Sequence, residues 1–179
     1  MKTLAKWSVE DYHSMIGAGV LRDRKVELLE GEIVEMSPET PIHYSTASQS
    51  SNYLREILRD KAAVRFNGPI TLDTSEPEPD IAIVRLPESA YSNRHPGPED
   101  IYWLIEVART SLSKDLDLKA AIYAAANVQE YWVLDLADPR IIVLREPQGR
   151  QYLSEQIFRT GMLSPLTFPD LQVAVERLI

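Results

Sequence analysis

The stretch Glu78-Pro79-Asp80-Ile81-Ala82-Ile83-Val84, read with Ile101-Tyr102-Trp103-Leu104-Ile105-Glu106-Val107, constrains the fold more than any other part of the chain. Each is a short run of strand-forming apolar residues with one carboxylate, Asp80 at the opening of the first and Glu106 near the close of the second. An acid inside a buried strand needs a partner or an ion. Neighbouring strands lie about 5 Å apart, so pairing the two would let Asp80 and Glu106 converge at one sheet edge on a single hard cation. The residues Asp115 to Tyr123 then have helical spacing and set Lys119 beside the pair. Two acids and a lysine point to metal-assisted hydrolysis. Simpler readings exist for each: Asp80 caps a turn after Pro79, and Asp115 and Lys119, four apart with the acid first, form an exposed helical ion pair worth only ~0.3 kcal/mol.

With 179 residues the chain is long enough for one α/β core and short for two, so residues 1–179 are expected to form a single domain. The absence of cysteine excludes disulfides and thiolate zinc sites and fits a reducing compartment. Met1 to Trp7 lead into polar helix signals and do not read as a signal peptide. No apolar run approaches the roughly 18 residues that span a bilayer, and a cytoplasmic protein without membrane partners is expected. The charge balance works against a phosphate-binding surface: 19 Lys and Arg face 27 Asp and Glu, a net charge of −8. Acidic metal ligands account for part of that deficit, and a bound divalent cation would offset part of it.

Ser8-Val9-Glu10-Asp11 carries an N-cap serine with an acid three residues on and opens a helix to about Ile16, ended by Gly17 and Gly19. Those glycines are no dinucleotide fingerprint, since the third is missing and a helix precedes them. Val26 to Met36 reads as two strands around a tight turn at Glu30-Gly31; three of its four glutamates suit solvated faces, and Glu27, which sits among Val26, Leu28 and Leu29, is open between an inward-facing acid and a surface acid that strand alternation turns outward. A proline-bracketed loop ends near His43, and Thr46 to Asp60 has the spacing of a helix covering the sheet. Ala62–Phe66 and Pro69–Asp73 are predicted as short strands broken at Asn67-Gly68. Pro77 and Pro79 then hold the approach to Asp80 extended. Leu86 to Glu99 is predicted as a long loop without regular structure. The helix from about Asp115 ends near Asn127, followed by strands at Tyr131–Asp135 and Ile141–Leu144 and a strand-rich tail to Ile179.

Taken in order, Val26-Glu27-Leu28-Leu29-Glu30-Gly31-Glu32-Ile33, Pro79-Asp80, Ile105-Glu106-Val107-Ala108 with Thr110-Ser111, then Asp115, Lys119 and Tyr123, and finally Val128 to Asp135 form one series. This series resembles the Uma-type putative restriction endonuclease family of bacteria, within the PD-(D/E)XK nuclease superfamily. The resemblance covers nearly the whole chain and rests on five motifs in order. It implies an α/β (α+β), restriction-endonuclease-like fold: a central mixed sheet flanked by helices, the active site at one sheet edge, here with an extra N-terminal hairpin and the strand-rich tail. It also implies the catalytic residues Glu27, Asp80, Glu106 and Lys119. The superfamily's lysine would fall two residues after Glu106, where this chain has Ala108; the resemblance moves it to Lys119, as is usual in this family. Mg²⁺ or Mn²⁺ would be held by Asp80, Glu106 and the Val107 carbonyl, with Glu27 acting through water or at a second ion. DNA is the implied substrate, and a homodimer follows superfamily habit. His43 matches a recurrent family position and reads as a local hydrogen-bonding residue, Tyr123 as core packing, and His13 and His95 lack the spacing of a zinc site. Arg85, Arg94 and Lys114 are candidate phosphate contacts. Two rivals remain at this level: a nuclease-like binding or regulatory module that does not cut, and a metal-dependent hydrolase of smaller phosphoesters.

Overall fold

The computed structural model describes residues 4–179; Met1–Thr3, where the reading of the N-terminus begins, lie outside the described residues. The apolar runs form a six-stranded mixed sheet. Its members are β3 (Ala63–Phe66), β4 (Ile81–Val84), β5 (Ile101–Ala108), β6 (Glu130–Asp135), β7 (Arg140–Gln148) and β8 (Gln151–Phe158), in spatial order β3-β4-β5-β6-β7-β8. All neighbours are antiparallel except β5 and β6. A parallel pair needs a crossover, and helical segments after β5 supply it. The β1 (Val26–Leu29) and β2 (Glu32–Glu35) hairpin stands apart, as does the short pair β9 (Met162–Leu163) and β10 (Val173–Ala174).

The period of two in a strand sorts side chains onto two faces. Ile81, Ile83, Trp103, Ile105, Trp132 and Leu134 pack beneath α2 (Pro41–Leu58) and against Val173, Val175 and Leu178 of the tail. Ala82, Val84, Leu104, Tyr131 and Val133 pack on the opposite face, against Ala120, Ile122 and Tyr123. Ile81 pairs with Ile105 and Ala82 with Leu104, so Asp80 and Glu106 continue that second face one step further along. The register therefore aims both acids at the crossover helix.

Several predicted elements shift. Helix α1 (Val9–Gly17) has the expected Ser8–Asp11 capping box. Helix α2 starts at Pro41, not Thr46, because Thr40 caps it and proline suits the first helical position; His43 thus lies in its first turn. Residues 69–73 form no strand. Their backbone bonds to separate partners instead, Ile70 to Pro77, Thr71 to Pro96 and Leu72 to Ser75, while Ile70 and Leu72 remain buried. The predicted loop at 86–99 contains two 3-10 turns, Glu88–Tyr91 and Pro98–Asp100. The crossover begins at Leu112, earlier than Asp115, as α3 (Leu112–Lys114), continues through a π-turn (Asp115–Lys119) and ends in α4 (Ala120–Ala125). The tail is strand-rich as expected: β8 completes the main sheet beside β7, and β9 pairs with β10. Fully buried Glu130 anchors the segment between β9 and β10 by accepting from Arg145 at 2.6 Å and from the Leu166 N–H at 2.7 Å.

Candidate active site

Asp80 and Glu106 meet at the end of the β4–β5 pair, at the floor of a cleft of about 340 Å³ that Glu27, His43, Val107, Asp115 and Lys119 also line. Asp80 accepts the Val107 N–H at 2.7 Å, and His43 Nε2 lies 3.3 Å from the same oxygen, Oδ2. That hydrogen bond to Asp80 raises the His43 pKa above its ordinary value. The first turn of α2, placed by Thr40 and Pro41, brings the imidazole there.

Glu106 is 4% exposed. Its Oε1 accepts from Lys119 Nζ at 2.8 Å and from the Tyr123 hydroxyl at 2.8 Å. Lys119 and Tyr123 are four residues apart and so share one helical face, which explains how both reach one carboxylate. Burial, reinforced by the charges of Asp80 and Asp115, pushes the Glu106 carboxyl up to about 8 in spite of the Lys119 ammonium. Burial alone would pull Lys119 down, but Glu106 and Glu27 overcome it and hold the ammonium charged. Asp115 is also buried and raised by that burial; its Oδ2 accepts from Ser111 at 2.6 Å. An exposed Asp115–Lys119 ion pair is therefore overturned. Both residues point inward, and the lysine pairs with Glu106 instead.

Glu27, on β1, is 1% exposed. Lys114 Nζ is 2.8 Å from its Oε1, while Lys119 Nζ stands 3.6 Å from Oε2, which accepts the Glu78 N–H at 3.3 Å. Burial disfavours the charged form of Glu27, but the two ammonium groups more than compensate and its pKa falls. All four residues singled out as catalytic are thus brought together, with Val107 in the same wall. Of the candidate phosphate contacts, only Lys114 stands in the cleft. Arg85 is spent on Tyr102 and the Glu99 carbonyl, and Arg94 on Asp100. Sequence reasoning gave Tyr123 to packing alone and left Lys114 out of the catalytic set. The four-residue step from Lys119 to Tyr123 was the available signal for the first.

A mixed sheet whose central strands deliver two acids and whose crossover helix delivers a lysine defines a restriction-endonuclease-like α/β protein. The family model for Uma2, described as putative restriction endonuclease, matches residues 9–176, and the chain belongs to that family. The fold is shared with a crystal structure of a putative nuclease belonging to DUF820 from Anabaena variabilis, with a TM-score of 0.65 and 17% identity over 86% of this chain and 88% of that one. No curated protein sequence matches the chain. Among the described residues no helix is long and apolar enough to cross a membrane.

Proposed function

We propose that the chain is a metal-dependent endonuclease that hydrolyses phosphodiester bonds of DNA. The observation that carries this reading is the convergence of Asp80, Glu106 and Lys119 in one cleft, with two of the three almost fully buried. Among the described residues no three His, Asp or Glu side chains form a ready-made metal cluster. A magnesium site for phosphoryl transfer does not require one, because Mg²⁺ is usually held by one or two carboxylates together with water and substrate phosphate. The donors fit such an ion: hard oxygens, and a Glu106 carboxyl that burial and two neighbouring acids make hard to ionise without another cation. Asp80, Glu106 and the Val107 carbonyl would hold Mg²⁺ or Mn²⁺. When bound, the ion supplies Lewis-acid stabilisation of a phosphoryl oxygen and a lowered pKa for coordinated water.

The side chains do the rest. Lys119, kept protonated at the cleft floor, orients the attacking water or meets the negative charge that develops on the phosphorane-like transition state. Tyr123 donates to Glu106 and fixes its rotamer, while His43 and the Val107 N–H do the same for Asp80. A plasmid-nicking assay with Mn²⁺, Mg²⁺ or chelator tests the proposal. Nicking with either ion, lost with chelator and in Asp80→Asn, is expected. Mn²⁺ binding without nicking would instead favour the binding module, and hydrolysis confined to smaller phosphoesters would favour the third reading.

A further inference from the structure

Glu27 departs from the behaviour of an ion ligand. Both of its oxygens are already engaged: Oε1 by the Lys114 ammonium, Oε2 by Lys119 at 3.6 Å and by the Glu78 N–H. To ligate an ion it would have to surrender charge-assisted contacts made in a site almost closed to water. The backbone offers a second, independent observation. Lys114 and Lys119 are five residues apart, a spacing that a regular α-helix does not bring to one face, since neighbours there are three or four apart. The π-turn Asp115–Lys119 widens the helix to an i→i+5 repeat between them, which lets both lysines address one carboxylate. π-Turns of this kind are rare and concentrate at functional sites.

We propose that Glu27 is a positioning residue that holds two lysines, and not a metal ligand. One ammonium is placed deep, at Glu106, with a side chain only 6% exposed; the other stands at the cleft mouth, with a side chain 36% exposed. The deep lysine faces the scissile phosphate and the outer one holds a non-bridging oxygen of the same backbone. This assignment rests on the nuclease reading for its consequence in catalysis, but its geometry is readable in the metal-free protein.

The test compares Glu27→Gln, Lys114→Gln and Asp80→Asn. Mn²⁺ affinity, measured by calorimetry, should stay within about threefold of wild type in Glu27→Gln and Lys114→Gln and fall by at least about tenfold in Asp80→Asn, a factor that corresponds to ~1.4 kcal/mol. If Glu27 were a ligand, Glu27→Gln would lose about tenfold or more, and Lys114→Gln, by freeing the carboxylate, would bind Mn²⁺ more tightly; either result overturns the proposal. In the metal-free protein, side-chain ammonium NMR should show the Lys119 resonance displaced in Glu27→Gln and retained in Lys114→Gln. An unmoved Lys119 resonance in Glu27→Gln also overturns it. Should Glu27→Gln fail to fold, Lys114→Gln carries the decision through its Mn²⁺ affinity. A wild-type protein that binds no Mn²⁺ would defeat the metal-dependent reading, while the NMR comparison would still decide what Glu27 positions.

Discussion

Removing the Lys119 ammonium and removing the Glu106 carboxylate should break different things. Lys119→Met keeps the buried stem and the acids, so Mn²⁺ binding should persist while cleavage slows by ~10²-fold or more, the size of a lost electrostatic contact to the transition state. Glu106→Ala should lose both cleavage and Mn²⁺ binding; a Lys119→Met protein that cuts as fast as wild type would remove the lysine from the mechanism. Glu106 also sets a pH dependence. Its carboxyl is raised from 4.5 to about 8, so the folded chain holds a proton that the unfolded chain releases between those values. Stability from this group is complete below about 4.5 and declines as pH rises toward 8. Glu27 has the opposite sign, since its lowered pKa contributes stability above the ordinary carboxylate range that disappears on acidification below it. The metal-free protein should melt higher at pH 5.5 than at pH 8, by ~3 °C for each kcal/mol, and Glu106→Gln should flatten that slope. An identical slope in Glu106→Gln would assign the effect to other groups. Asp80 and Glu106 were legible in the sequence because a carboxylate in an apolar strand is conspicuous. Lys114 was legible only as a candidate phosphate contact; its pairing with Glu27 was not, since a lysine near a helix start carries no such contrast.

The crossover helix makes a prediction of its own. A π-turn absorbs one residue more than the α-helix needs, so deleting a residue inside it should restore ordinary α-geometry. Asp117 is exposed and accepts only from Ser113 within the helix, at 2.8 Å, so its loss removes little else. Deletion of Asp117 would leave the two lysines four apart, still on one face. We expect that variant to fold, with a melting temperature within a few degrees of wild type, and to keep measurable nicking. Deleting Ala124, in the regular part of α4, should rotate buried Ile122 and Tyr123 away from the sheet and abolish both. Equal damage from the two deletions would deny the π-turn its role. Elements with strong periodicity, such as β4, β5 and α1, were readable from the sequence alone. The π-turn was not, because its signature is a hydrogen-bond repeat and not a side-chain pattern. Residues 69–73 misled for a related reason: buried Ile70 and Leu72 look like a strand, yet their N–H groups are claimed by Pro77 and Ser75 before any strand can pair with them. The start of α2 was visible in Thr40 and Pro41, but the proline-bracketed segment read more readily as a loop.

At the scale of the whole molecule, a net charge of −8 has to be reconciled with a polyanionic substrate. The cleft does not escape the imbalance: its six acids, Glu27, Glu39, Glu78, Asp80, Glu106 and Asp115, outnumber Lys25, Arg109, Lys114 and Lys119. Lys25 is itself paired with Glu39 at 3.0 Å. Elsewhere, Arg145, Arg150 and Arg159 are tied to Glu130, Glu30 and Asp138, and Arg65 lies over Tyr91. Among the described residues, these cations are already engaged by the protein's own acids and rings. Few counterions can therefore be displaced when DNA binds, and each displaced counterion contributes a slope of about −0.9 to log K against log salt. With two or three phosphates engaged, the slope should be about −2 to −3, well short of the value near −10 reached by a repressor that makes many phosphate contacts. Binding should also require the divalent ion, which converts an acid-rich cleft into one that attracts phosphate. Fluorescence anisotropy of a labelled duplex, titrated with salt using the cleavage-deficient Lys119→Met protein, reads both quantities with Mn²⁺ or with chelator. Tight binding in chelator with a steep slope would show a basic surface outside this cleft and would move the site of DNA recognition away from Asp80 and Glu106.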